Sequence, residues 1–252
     1  MRARCVFAVA VAMAAGTAGG VFAQDSVVMA APPRVLDAAR LQPTTLVYQA
    51  SLKRGDSTRV LGERSVALAS AVYGGQGAWL IVERTQGAAQ YALLDSLWVE
   101  RATMHPLHWS TYADFTRVIA EFRADSVFGG VTSPAGRRTI VADLPASALV
   151  TAGMSEIALP LYPLAAGFSD SVSVVATDLA RMVVLRGALD VLGEERITVP
   201  AGTFETWLVS LTTDAGGPTY WVAKKEGIVV RSTRLVPETG ALLAYDLTAI
   251  SR

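Results

Sequence analysis

Gly193-Glu194-Glu195-Arg196-Ile197-Thr198-Val199-Pro200-Ala201-Gly202-Thr203-Phe204-Glu205-Thr206-Trp207-Leu208-Val209 decides the class of fold. Glu194, Arg196 and Thr198 alternate with Glu195, Ile197 and Val199, the period of two that a strand imposes. Pro200 cannot donate to a ladder and ends that strand. Gly202 tolerates the positive φ of a tight turn. Thr203 to Thr212 then returns, with Phe204, Thr206, Leu208 and Ser210 on one face and Glu205, Trp207, Val209 and Leu211 on the other. Aromatics on both faces imply a hairpin that is central or covered on both sides. Gly216-Gly217-Pro218 turns the chain into Tyr220-Trp221-Val222. Past the charged tip Lys224-Lys225-Glu226 and Gly227, Ile228-Val229-Val230-Arg231 runs back, β-branched and suited to a pleated sheet.

Upstream the same texture extends to Thr44. Leu46, Tyr48, Ala50 and Leu52 alternate with Val47, Gln49, Ser51 and Lys53. Gly55-Asp56 turns the chain into Val60–Ser70, and Gly74-Gly75-Gln76-Gly77 breaks before Ala78–Arg84. Further strands are expected over Gln90–Val99, Leu107–Tyr112, Thr116–Phe122, Asp125–Gly130 and Arg137–Val141, then Ser171–Ala176, Arg181–Arg186, Ala188–Val199 and Ala241–Ile250. Strands at roughly ten-residue spacing with polar turns read as an antiparallel meander. Between Pro145 and Leu161 alternation stops. Leu149, Ala152, Met154, Ile157, Ala158 and Leu161 approximate one helical face, Ser147 offers a cap, and Pro160 and Pro163 end the segment. The expected fold is mainly β: a curved, incompletely closed barrel or sandwich, with one or two short helices near 146–162 that plug an end or a face.

Met1-Arg2-Ala3-Arg4, the apolar run Cys5–Ala15 and the small-residue pattern Val21-Phe22-Ala23 have the three parts of a secretory signal, with cleavage expected after Ala23. The alternative is an uncleaved anchor, since Cys5–Ala23 is just long enough to span a bilayer. Cys5 precedes the apolar run, which argues against lipidation there. The expected organisation is a signal peptide over 1–23, a flexible arm over 24–43 and a single β-rich domain over 44–252, exported to the periplasm or beyond. The chain has 22 basic and 22 acidic residues. Loss of Arg2 and Arg4 leaves 20 against 22, a net charge of −2. That balance argues against a nucleic-acid surface, which needs a basic excess. Cys5 is the only cysteine, so the mature domain has neither a disulfide nor a thiolate.

Val191-Leu192-Gly193-Glu194-Glu195, Val199-Pro200-Ala201-Gly202-Thr203-Phe204-Glu205-Thr206, Tyr220-Trp221-Val222 and Gly227-Ile228-Val229-Val230-Arg231 resemble domain-of-unknown-function family 3108, exported β-proteins of the bacterial envelope. The resemblance lies mainly over residues 190–234. It implies an exported β-rich protein with a curved sheet like the half-barrels of lipoprotein carriers. It implies no catalytic residue.

No catalytic cluster stands out. His105 and His108 are the only histidines; a spacing of three sets them on opposite faces of a strand. A metal there would need a third ligand such as Asp95 or Asp114. Glycosidase-like acid pairs could draw on Glu83, Asp95, Glu100, Asp114 or Glu121, whose alternation with apolar residues reads as a solvated strand face. Glu194-Glu195-Arg196 reads as a strand face with cross-strand ion pairs. Trp79, Trp98, Trp109, Trp207 and Trp221 either form the core or line an apolar cavity on a concave face. The expectation is a non-enzymatic envelope protein that binds an apolar, lipid-like small molecule, with no metal, no cofactor and no nucleic-acid partner. The alternatives are a hydrolase near His105 and His108, or a scaffold that binds another envelope protein through a sheet edge.

Overall fold

The computed structural model describes residues 36, 38–87, 93–113, 115–144, 148–177 and 182–252. The signal segment with Ala23, and also Tyr91, Asp114 and Ser147, lie outside the described residues. The strands are β1 (Thr44–Arg54), β2 (Ser57–Tyr73), β3 (Gln76–Gly87), β4 (Leu93–Glu100), β5 (Pro106–Ala113), β6 (Thr116–Phe122), β7 (Ser126–Ser133), β8 (Gly136–Asp143), β9 (Ala148–Val150), β10 (Ser169–Thr177), β11 (Met182–Val199), β12 (Gly202–Thr213), β13 (Thr219–Ala223), β14 (Ile228–Val236) and β15 (Ala241–Ser251). Helix α1 (Met154–Ala158) and 3-10 turns at Ala38–Arg40 and Leu159–Leu161 complete the set.

All 15 strands form one sheet in the order β8-β7-β6-β5-β4-β3-β2-β1-β15-β14-β13-β12-β11-β10-β9. The meander expected from the turn spacing is thus realised, with β1 and β15 meeting at its middle. The sheet curls without closing: β8 approaches β11, and β9 approaches β5, with no ladder between them. Bulges at Val47/Tyr48, Ala50/Ser51, Trp98/Val99, Val191/Gly193 and Trp221/Val222 supply local twist and bend. The alternation read from sequence fixes the inner face, where Leu46, Tyr48, Val66, Leu68, Ile81, Leu97 and Trp109 are buried.

Two local expectations change. Of Arg181–Arg186 and Ala188–Val199, expected as separate strands, Arg181 lies outside the described residues, and Met182–Val199 is one strand, because Gly187 pairs with Val172 on one side and Thr213 on the other. The segment 146–162 holds the short helix expected there, but Leu149, read as part of its face, is not in it. Leu149 belongs to β9, which pairs in parallel with β10, and the α-helix is only Met154–Ala158. Gly153 precedes it at φ 71°. Every residue of α1 is buried, so it plugs the interior.

The hairpin that decided the class of fold does more than pair with its neighbours. β12 extends past the last rung it shares with β13, and the free tip is tied to other strands. The Ala201 amide donates to the Leu247 carbonyl at 3.0 Å, and Arg231 Nη2 donates to the Thr198 carbonyl at 3.4 Å. Phe204, Trp207 and Trp221 pack half-buried against the core.

Candidate functional site

Adjacent strands bring polar side chains onto the inner face at mid-height. Tyr48 on β1 lies opposite Arg64 on β2, and Glu83 on β3 lies opposite Asp95 on β4. Arg64 Nε and Nη2 donate to the two carboxylate oxygens of Glu83 at 2.7 and 3.0 Å. Its Nη1 donates to Glu156 Oε1 of α1 at 2.6 Å. The guanidinium also lies 4.9 Å from the Tyr245 ring centroid and 5.9 Å from that of Tyr48. All of its donor edges are used, which is what an interior arginine requires. Burial pulls the Arg64 pKa down, but Glu156 and Glu83 outweigh it and hold it well above its ordinary value.

Asp95 accepts from Trp109 Nε1 at 3.2 Å. Burial first, and then the charge of Glu83 across the ladder, push its pKa up to about 8. It therefore keeps its proton at neutral pH. Tyr48 donates to the Val229 carbonyl at 2.9 Å, and Tyr220 hydrogen-bonds Ser155; burial raises both phenols above their ordinary range. This cluster ties plug to wall. It is enclosed: Arg64, Glu83, Asp95 and Glu156 are all less than 8% exposed. Such a site can hold α1 in place, but it has no room for a reacting molecule.

These positions correct the solvated-face reading of Glu83 and Asp95. Glu83 shares its parity with Trp79 and Ile81, and Asp95 with Leu97 and Val99, all of which point inward. Arg64 and Glu156 were not singled out from sequence. Parity with Val66 and Leu68 was the available signal for Arg64; nothing local marked Glu156 as its partner 92 residues away.

The histidines are not brought together. His105 Nε2 lies 3.1 Å from the Arg123 carbonyl, before β5 begins. His108 faces outward, with Nδ1 2.6 Å from Glu121 Oε1. Tyr73, at the end of β2, reaches over to donate to Glu121 Oε2 at 2.7 Å. Trp98 stands edge-on to His108 at 5.2 Å between centroids. Burial and this hydrogen bond push the Tyr73 pKa up to about 12. Asp95 is on the opposite face of the sheet from His108 and cannot join it. Among the described residues, no group of three or more histidine, cysteine or acidic side chains could hold a metal.

The five tryptophans separate into distinct environments. Trp79 and Trp109 are core residues. Trp98 packs on the outer face with Tyr73 and His108. Trp207 lies beneath Lys224, whose Nζ is 3.9 Å from the ring centroid and 2.6 Å from Glu194 Oε2. Trp221 donates to Glu195 Oε2 at 2.7 Å. The ion pairs expected around Glu194–Arg196 are therefore present, with Arg196 and Glu205 3.4 Å apart and exposed, and each worth little.

Space for a ligand exists at one end of the sheet. The segment ahead of β1 crosses the end at which β1 starts and the β4–β5 turn lies. Leu36 and Ala38 are buried there, and together with Ala39, Leu41, Trp79, Arg101 and Ala102 they border an open cavity of about 660 Å³. The Arg101 guanidinium lies 4.6 Å from the Trp79 ring centroid. The cavity falls within the range of small-molecule sites, ~300–1,000 Å³, and barrel mouths are one of their usual places.

The family described as "Protein of unknown function (DUF3108)" matches over residues 47–241. No curated protein matches. A solved structure from Brucella abortus, a beta-barrel-like protein of domain of unknown function DUF1849, is similar at 13% identity and a TM-score of 0.52; the alignment covers 87% of this chain and 98% of that one. The hypothetical lipoprotein YmcC from Escherichia coli aligns at 12% identity and a TM-score of 0.35 over 85% of this chain and 88% of its own. The first likeness is one of fold.

Proposed function

Because the chain belongs to the DUF3108 family, we propose that it is an exported, non-enzymatic envelope protein that holds an apolar small molecule at the leader end of its curled sheet. The observation that carries this reading is the cavity of about 660 Å³ bordered by Leu36, Ala38, Leu41 and Trp79. The middle of the sheet is filled by α1 and the Arg64 cluster, so the end is where a ligand has room. The signal-like segment 1–23 supports export. Native mass spectrometry of gently purified protein tests the reading. A co-purifying apolar molecule that is lost in Leu36→Glu supports it. Protein that carries nothing, and binds no alkyl probe in titration, overturns it.

A hydrolase reading has one observation in its favour, the pairing of His108 with Glu121 and, through it, with Tyr73. Among the described residues no hydroxyl group hydrogen-bonds His108 as a nucleophile would. Ester hydrolysis by the purified protein that disappears in His108→Ala would favour it over the binding reading.

A further inference from the structure

We infer that the leader-end cavity takes a single-chain amphiphile with an anionic headgroup, its chain against Leu36, Leu41 and Trp79 and its head at Arg101. This rests on the reading above that the cavity holds a ligand. The wall is chemically lopsided. Among the described residues that border it, Leu36, Ala38, Ala39, Leu41, Trp79 and Ala102 are apolar and Arg101 is charged. A wholly apolar ligand would leave that guanidinium beside alkyl surface with its hydration disturbed, whereas an anionic head offers it charge-assisted hydrogen bonds.

Arg101 is also placed for the task. Among the described residues it pairs with no carboxylate, and its guanidinium lies over the Trp79 ring at 4.6 Å. Its stem runs beside Gly77, where an added Cβ would lie 3.8 Å from Arg101 Cδ. An arginine laid on an aromatic face keeps its outer N–H edge available while losing little further freedom on binding. Arg64 shows the contrast: its donor edges are consumed by Glu83 and Glu156. Among the described residues, no acidic side chain borders the cavity. Apolar wall and guanidinium meet at Trp79, so a ligand that satisfies both is apolar along its length and anionic at one end.

Tryptophan quenching by brominated single-chain probes, below their micelle concentrations, tests the inference. Dibromostearate supplies the carboxylate, a dibromo-octadecyl phosphate supplies a phosphate head, and dibromo-octadecanol is the neutral counterpart. Expected are saturable quenching by the two anionic probes, a Kd about 10-fold weaker in Arg101→Gln, and recovery in Arg101→Lys. The alcohol should bind more weakly and be indifferent to Arg101→Gln. Trp79→Phe should remove most of the quenching, which locates the chain. The preferred anionic probe separates a carboxylate from a phosphate source. Equal binding of acid and alcohol, unchanged in Arg101→Gln, overturns the anionic headgroup while leaving an apolar ligand standing. No saturable quenching by any probe overturns both readings.

Discussion

Arg64 takes a positive charge into a core of tyrosine, leucine and valine, and its neighbours decide whether that is tolerable. Removing one partner leaves the others buried and unpaired. Arg64→Ala is therefore expected to cost about 3–5 kcal/mol, read by chemical denaturation. Replacing Arg64, Glu83 and Glu156 together with apolar residues of similar volume should recover most of that loss, because the desolvation cost disappears with the charges. Asp95 makes stability depend on pH in a defined direction. Its folded pKa is about 8, whereas an unfolded aspartate titrates near its ordinary value of 3.8. Between these limits the unfolded chain has released a proton that the folded one retains. Stability therefore falls as pH rises from about 4 to 8, by about 1.4 kcal/mol for each pH unit over which the shift holds. Asp95→Asn, which can still accept from Trp109, should flatten that slope and raise the melting temperature at pH 8. A melting temperature that depends on pH as in the wild type would show that Asp95 is not the group responsible. The interior acids were misread as a solvated face: their charge argued for water, although Glu83 shares its parity with Trp79 and Ile81, and Asp95 with Leu97 and Val99. The neutralising arginine was needed to decide between them, and it becomes a neighbour only through the β2–β3 and plug contacts.

Among the elements, the β11–β12 turn is the one whose sequence reading translates most directly into backbone. Gly202 has φ 141°, a region side chains rarely enter, and a Cβ there would meet only the Phe204 ring at 3.6 Å, an ordinary contact. The penalty in Gly202→Val is thus one of backbone strain, expected at about 1–3 kcal/mol. An unchanged melting temperature would refute it. What that turn touches was not legible. Pro200 and Gly202 mark a hairpin, but only the curl of the sheet brings Ala201 to the Leu247 carbonyl. The plug shows the reverse. Its apolar residues read as a helical face, yet Leu149 takes part in β9 because β10 offers a parallel edge. Gly153→Val should loosen the plug by more than its backbone strain, since its Cβ would come within 3.0 Å of Val66 Cγ1 and 3.4 Å of Glu83 Oε2.

At the scale of the whole molecule, the leader and the sheet end depend on each other. Leu36 is 6% exposed although it precedes the first strand by several residues. Leu36→Glu should cost about 1.5–3 kcal/mol of burial and weaken binding of an alkyl probe; a variant as stable as the wild type would mean that the leader does not pack there in solution. The free edges bear on association. β8 carries Arg137 and Arg138 exposed, charges that discourage strand addition. By itself, the amino-acid sequence determined the all-β class, most of the turn positions, the one interruption near 146–162 and the inner face of most strands, because periodicity and turn chemistry are local. The tertiary structure alone decided that α1 meets Arg64, that the tryptophans divide among core, outer face and sheet end, and that Trp79 and Arg101 share a cavity with Leu36. Those contacts join residues far apart in the chain, and they depend on how far one open sheet of 15 strands curls, a sum of small twists that no single stretch encodes.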